Sequence, residues 1–270
     1  MREAELWRTL AGWIDEGHPC ALCTVVRVRG AAPRRPGARL VVRGDGASAG
    51  TVGGGALELE VTRQAREVLA AGEPRLLSFD LEPDLHMLCG GQAEVFIEPM
   101  QPPDRLYLFG AGHIGQALAP MAARLGFAVT VIDDRPAMAS PERFPEASGF
   151  VGSFAATEWS SLPFDLERTY CVVVSPSHAI DFEVARELLR RPSHYVGMIG
   201  SRKKRRATEE SLRAAGINVD RIADLHSPIG EPIGAETPEE IAVSILAELV
   251  RVRRLRGLRP AGQAMEQGDG

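Results

Sequence analysis

Two periods of apolar residues run along this chain. Leu6, Trp7, Leu10, Trp13 and Ile14 recur at the spacing of one helix face, so an amphipathic helix is expected over residues 4–16. Residues 20–29 read as a strand and Ala38–Arg43 as a second. Gly44-Asp45-Gly46 is a hairpin-type turn into a third strand that ends at Val52. Gly53, Gly54 and Gly55 then precede a helix expected over 56–71, with Leu57, Val61, Ala65, Val68 and Leu69 on its buried face. Leu76–Phe79 and Ala93–Ile97 read as two further strands, separated by the loop 82–91, and Pro99–Asp104 reads as a linker.

Beyond the linker the pattern changes. Leu106–Asp133 runs strand, glycine turn, helix, strand, acid. Gly110, Gly112 and Gly115 form a G-x-G-x-x-G that follows a short apolar run and opens a helix. In such a turn the first glycine permits the bend, the second lets backbone approach a pyrophosphate, and the third lets helix and strand pack closely. Asp133 ends the second strand, where an acid can bind a ribose hydroxyl. Residues 169–175 are continuously apolar, as in a strand buried on both faces of a parallel sheet. A helix is expected over 182–190, a strand over 195–199, a helix from Ser201 through Ala215, and a last helix from the Thr237-Pro238-Glu239-Glu240 start to about Arg253. The expected fold class is α/β: a Rossmann-like domain over 105–256 after a smaller α+β domain over 1–101, with 257–270 a disordered tail.

Composition narrows the function classes. The 270 residues are 44% hydrophobic and 25% charged, with a formal charge of −5, which gives no reason to expect nucleic-acid binding. The charged N-terminus lacks an apolar signal core, and no apolar run approaches the ~20 residues of a membrane span, so a cytoplasmic protein is expected. Four cysteines in a chain of this length do not make a disulfide framework. Cys20 and Cys23 have C-x-x-C spacing, but residues three apart on a strand point to opposite faces.

The candidate chemistry sits in loops. In an open parallel sheet, ligands bind beyond the carboxyl ends of the strands. Gly110, Gly112, His113 and Gly115 occupy one such loop, Asp133 a second, Ser177 and His178 a third, and Ser201 and Arg202 a fourth. Ser201 opens a helix whose first turn is cationic, against the macrodipole, which suggests an anion nearby. His178 could transfer a proton, ligate a metal or donate to a ligand; a cap at Ser177 and a surface place for His178 form the plainer reading. Gly53, Gly54 and Gly55, with Glu58 in the following turn, form either an anion-holding backbone turn or a tight strand-to-helix connection. Cys89 precedes Gly90-Gly91 in a polar loop and could be a soft metal or sulfur ligand.

Seven segments then occur in a familiar order: Gly30-Ala-Ala-Pro-Arg-Arg-Pro-Gly-Ala-Arg, Gly50-Thr-Val-Gly-Gly-Gly-Ala-Leu-Glu, Cys89-Gly-Gly, Phe109-Gly-Ala-Gly-His-Ile-Gly, Ser177-His-Ala-Ile-Asp-Phe-Glu, Tyr195-Val-Gly-Met-Ile-Gly-Ser-Arg and Pro228-Ile-Gly. Over residues 20–250 the chain resembles the xanthine dehydrogenase accessory protein family (XdhC/CoxI). The resemblance implies a chaperone that binds the molybdenum cofactor (molybdopterin). Such a protein supports sulfuration of the cofactor by a cysteine desulfurase and delivers it to a molybdenum hydroxylase apoenzyme such as xanthine dehydrogenase. It further implies that Gly53, Gly54, Gly55, Glu58, Cys89, Gly110, Gly112, His113, Gly115, Asp133, Ser177, His178, Ser201 and Arg202 bind the cofactor, with Cys89 touching the metal. A homodimer is the expected assembly. Two rivals remain open: an NAD(P)-dependent oxidoreductase with Asp133 on the ribose and His178 as proton donor, and a nucleotide-sensing regulatory module.

Overall fold

The computed structural model describes residues 1–81 and 91–255. The chain divides into two compact units, Met1–Pro103 and Asp104–Gly270. In the first unit, helix α1 (Glu3–Asp15) leads to strands β1 (Cys20–Arg29), β2 (Arg39–Arg43) and β3 (Ser48–Gly50), helix α2 (Gly55–Ala71), and strands β4 (Arg75–Asp80) and β5 (Gln92–Met100). The strands form an antiparallel sheet in the order β3-β2-β1-β5-β4. Alternation along β1 serves both faces. Ala21, Cys23 and Val25 join the core beneath α2, with Val61, Ala65 and Val68; Cys20 and Leu22 join Leu6 and Leu10 of α1 on the other face. The two thiols of the C-x-x-C spacing therefore lie on opposite sides of one sheet.

The second unit runs β6 (Asp104–Phe109), α3 (His113–Arg124), β7 (Phe127–Ile132), β8 (Gly149–Val151), α4 (Ala156–Trp159), β9 (Thr169–Val173), α5 (His178–Leu188), β10 (Tyr195–Met198), α6 (Arg202–Ala214), α7 (Val219–Ala223), β11 (Leu225–His226) and α8 (Pro238–Leu255). Its sheet is parallel throughout, in the order β11-β10-β9-β6-β7-β8. The chain winds outward in both directions from β6, as in a Rossmann fold, and the order reverses between β6 and β9. Both faces are covered. Leu106 and Leu108 of β6 pack with Leu118 and Ala122 of α3 and Ile245 and Leu249 of α8. Tyr107 and Phe109 pack on the opposite face with Trp159, Val184, Leu188 and Leu212. No helix among the described residues is long and apolar enough to cross a membrane.

Four elements escaped the hydrophobic pattern. Strands β8 and β11 have three and two residues, and helices α4 and α7 four and five, all too short to display a period. Helix α5 begins at His178 rather than at 182, because Ser177 caps it: its Oγ accepts a bond from the Ile180 N–H at 3.3 Å. The loop holding Cys89, and the tail expected over 257–270, lie outside the described residues.

Candidate functional site

The strand order gathers the candidate loops of the second unit at one end of its sheet. Phe109 is level with Ile132 on one side and Val173 on the other, so the chains leaving β6, β7 and β9 emerge together. The glycines of the first loop have separate duties. Gly110 has φ +122°, and a side chain there would meet the Val174 carbonyl oxygen at 2.3 Å. A side chain at Gly115 would lie 2.1 Å from the Gly110 carbonyl oxygen, so α3 rests directly on the turn. Gly112 differs: nothing lies within 4 Å of its Cβ position, which is the open side where a ligand could approach. Gly112 is also the N-cap of α3 with no side-chain bond of its own, the first turn holds no acid, and His113 is exposed.

Asp133 is wholly buried and holds this loop in place. Its Oδ2 accepts from the Ala111 N–H at 2.8 Å and from Arg135 Nη2 at 2.7 Å. Its Oδ1 accepts from the Arg135 N–H at 3.0 Å and Arg135 Nε at 2.8 Å. A carboxylate offers about four acceptor positions, and these donors fill them. Burial pushes the Asp133 carboxyl up, but the Arg135 guanidinium and the two backbone amides outweigh it and hold it below the usual carboxylate range. In this arrangement protein donors, those of Arg135 foremost, engage both oxygens of Asp133.

At the end of β9, Ser175 donates to Asp181 Oδ1 through its N–H at 3.1 Å and its hydroxyl at 2.6 Å. Asp181 is 4% exposed; burial pushes its carboxyl up, against the Ser175 bonds and the charges of His178 and Lys204. Ser177 is a helix cap. His178, the first residue of α5, is half-buried, and its Nδ1 is buried with no hydrogen-bond partner. After β10, Ser201 caps α6 by accepting from the Lys204 N–H at 3.3 Å, and Arg202 is exposed. Sequence reasoning placed Arg135 in the loop after β7 but missed it as the partner of Asp133. The acid–x–arginine spacing from Asp133 was the available signal for Arg135.

The glycine turn of the first unit is filled from inside the protein. Thr51 Oγ1 donates to Glu58 Oε2 at 2.6 Å, the Gly54 N–H donates to the same oxygen at 3.2 Å, and the Gly53 N–H donates to Thr51 Oγ1 at 3.1 Å. A side chain on Gly53 would strike Pro33 Cγ at 2.6 Å, so the loop before β2 packs on the turn. The Glu58 carboxylate thus engages the Gly54 amide of this turn at the start of α2. Beside it lies a cavity of about 360 Å³ lined by Arg2, Glu3, Arg34, Arg39, Gly50 and Thr51, where Arg39 Nη1 donates to Glu3 Oε1 at 2.6 Å. Among the described residues no cluster of three or more His, Cys, Asp or Glu side chains is arranged to hold a metal.

Comparison with known proteins places this geometry in a family. A family model described as the XdhC Rossmann domain matches residues 106–249, and a second, described as the XdhC and CoxI family, matches residues 13–80. The chain belongs to the XdhC and CoxI family. Among its relatives is the Escherichia coli protein named uncharacterized protein YqeB, 35% identical over 245 residues, which covers 88% of this chain and 44% of the relative. A Bacillus subtilis protein named as a probable xanthine dehydrogenase component is 34% identical over 160 residues, covering 59% of this chain and 46% of that one. The chain thus spans about half the length of these two proteins. The molybdenum cofactor insertion chaperone PaoD of E. coli is 23% identical over 290 residues, covering 88% of this chain and 84% of PaoD. A solved structure described as a xanthine dehydrogenase from Bacillus halodurans shares the fold, with a TM-score of 0.53, 24% identity and 98% coverage of both chains.

Proposed function

We propose that this XdhC-family chain binds molybdenum cofactor and hands it to a molybdenum hydroxylase apoenzyme, with xanthine dehydrogenase the leading client. In this reading it is a carrier rather than a catalyst, works in the cytoplasm as a homodimer, and presents the cofactor to a cysteine desulfurase for sulfuration. Kinship with PaoD over most of both chains supports the reading, as does the name of the Bacillus subtilis relative. The observation that carries it is the state of the Rossmann crevice. Its glycine loop keeps an open backbone face at Gly112, and His178 Nδ1 is buried without a partner, while the acid that would take a nucleotide ribose is saturated by protein donors. Both open features suit a polar, phosphate-bearing ligand. A nicotinamide oxidoreductase would need Asp133 for the ribose, so that rival loses its anchor.

The residues divide by task. Gly110 and Gly115 shape the loop, Gly112 and His113 present backbone N–H groups, and His178 offers a ring nitrogen. When bound, the cofactor supplies the molybdenum–sulfur chemistry that the client enzyme uses. Cys89 stays in the proposal as a soft ligand for that chemistry, and it lies outside the described residues.

The test is purification of the chain from cells that make the cofactor, followed by measurement of bound pterin by fluorescence after oxidation and of molybdenum by mass spectrometry. Both are expected at a substantial fraction of the protein, and the loaded chain should activate apo-hydroxylase. His178→Ala and Cys89→Ser are each expected to reduce pterin retention with the fold intact. A chain that carries no pterin and binds NAD(P) with hydride transfer would sink the proposal.

A further inference from the structure

We infer that the start of α6, together with Ser227, forms a binding site for a single phosphate group of an organic ligand. The carrier reading enters only in naming the cofactor as the bearer of that phosphate. Helix α6 is 13 residues long, and its first turn contains no acid and three cations, Arg202, Lys203 and Lys204. Ser201 Oγ takes the Lys204 N–H, and the N–H groups of Arg202 and Lys203 have no intrahelical acceptor. Positive charge gathered at the positive end of a helix is a mismatch that a bound anion removes.

A second observation is independent of the helix. Ser227 is 1% exposed, and its hydroxyl has no hydrogen-bond partner. Burying a hydroxyl unpaired is unfavourable, so such a group marks a place where a partner belongs. Ser227 directly follows β11 and Gly200 closely follows β10, and these strands are parallel neighbours. Both residues therefore sit at the carboxyl edge of the sheet, where ligands bind in this fold. The side-chain position of Gly200 faces the orphan hydroxyl: a Cβ there would lie 3.5 Å from Ser227 Oγ and 3.6 Å from Lys204 Cβ. Arg205 holds the far wall, with Nη1 on the Ser227 carbonyl oxygen at 2.9 Å and Nε on Glu209 at 2.7 Å. Asp181, the acid whose field reaches Lys204, is turned to Ser175. A phosphate seated against Gly200 would accept from the Arg202 and Lys203 amides, the Ser227 hydroxyl and the Lys204 ammonium. The donors approach from several sides, which suits a terminal phosphate with three free oxygens better than a diester.

The full chain, free of pterin, is titrated with inorganic phosphate and then with a pterin phosphate monoester, while backbone amide chemical shifts are followed. The Gly200, Arg202 and Lys203 signals are expected to move and saturate, with the ester binding more tightly. Ser227→Ala and Gly200→Ala are each expected to weaken both ligands about tenfold or more. Neither variant should lower Tm, because the first removes an unpaired hydroxyl and the second adds a methyl at ordinary contact distance. Unmoved signals overturn the site. So does wild-type affinity in both variants, and so does a Ser227→Ala variant that melts earlier yet binds fully. A preference for inorganic phosphate overturns the organic ligand. The carrier reading fails through a different result, the absence of pterin from purified chain, and that result leaves the phosphate titration standing.

Discussion

Asp133 sits where a ribose-binding acid would sit, yet every acceptor position it has is taken by Ala111 and Arg135. Asp133→Asn would turn one acceptor oxygen into an amide donor facing buried donors. It is expected to cost about 2–4 kcal/mol, read as a lower urea midpoint and a Tm several degrees down. A change within experimental error would remove Asp133 from the framework of the loop. The pH dependence has a definite sign. Because the folded carboxyl lies below its ordinary 3.8, its stabilisation is complete above that pH and is lost as pH falls through the folded value. The cysteines give a second prediction at this scale. Burial pushes Cys20 up to about 11 and Cys23 up to about 12, and pushes fully buried Cys171 up as well. All three are therefore expected to resist thiol reagents in the native protein at pH 8 and to react on unfolding, counted by intact mass. The opposed faces of Cys20 and Cys23 were legible from strand alternation alone. The fate of Asp133 was not, because its saturation depends on where Arg135 turns once the chain has folded.

Helix α8 shows what an element's sequence reveals and what it hides. Its start was legible: the Glu240 N–H donates to Thr237 Oγ1 at 3.2 Å and the Thr237 N–H to Glu240 Oε2 at 3.1 Å, a reciprocal cap. Its middle was not. Glu248 is 5% exposed, and partners from three other segments hold it. Tyr195 of β10 donates its hydroxyl at 2.8 Å, His226 of β11 lies at 2.7 Å, and the Gly230 N–H donates at 2.6 Å. Arg251, which pairs with Glu231, sits 3.6 Å from the same carboxylate. Strand β11 is two residues long, so no periodicity could announce the strand that brings His226 there. Burial pushes the Glu248 carboxyl up, but His226, the Gly230 amide and Tyr195 outweigh it and keep it below 4.5. Its contribution is thus present at neutral pH and fades as pH falls through the folded value. Glu248→Ala is expected to cost about 3–5 kcal/mol at pH 7, with a smaller penalty at pH 3, by chemical denaturation at both pH values. An equal penalty at both would mean that packing rather than charge is lost. Long elements with a full period were legible throughout, while α4, α7, β8 and β11 were set by tertiary neighbours.

For the molecule as a whole, the two units are separate in their cores and in their sheets. The apolar clusters around α1 and α2 draw only on residues before 98, and those on the two faces of the parallel sheet only on residues after 105. Among the described residues no strand is shared between the sheets. About 100 and about 150 residues are each enough for an independent domain. The loops at the end of the parallel sheet are fixed by bonds internal to the second unit: Asp133 to Ala111, Asp181 to Ser175, Arg205 to Ser227. A fragment covering 104–270 is therefore expected to fold alone, with helical circular dichroism, a single cooperative melt, and the amide pattern of Gly200, Arg202 and Lys203 seen in the full chain. The fragment 1–103 should do likewise around its own sheet. A fragment 104–270 that stays molten, without dispersed amide signals, would mean that its core needs the first unit and that the division at Pro103 is not a folding boundary. A folded fragment that binds phosphate with the affinity of the full chain would locate the whole of that site in the Rossmann unit, since every donor in it belongs to α6 or to Ser227, just after β11.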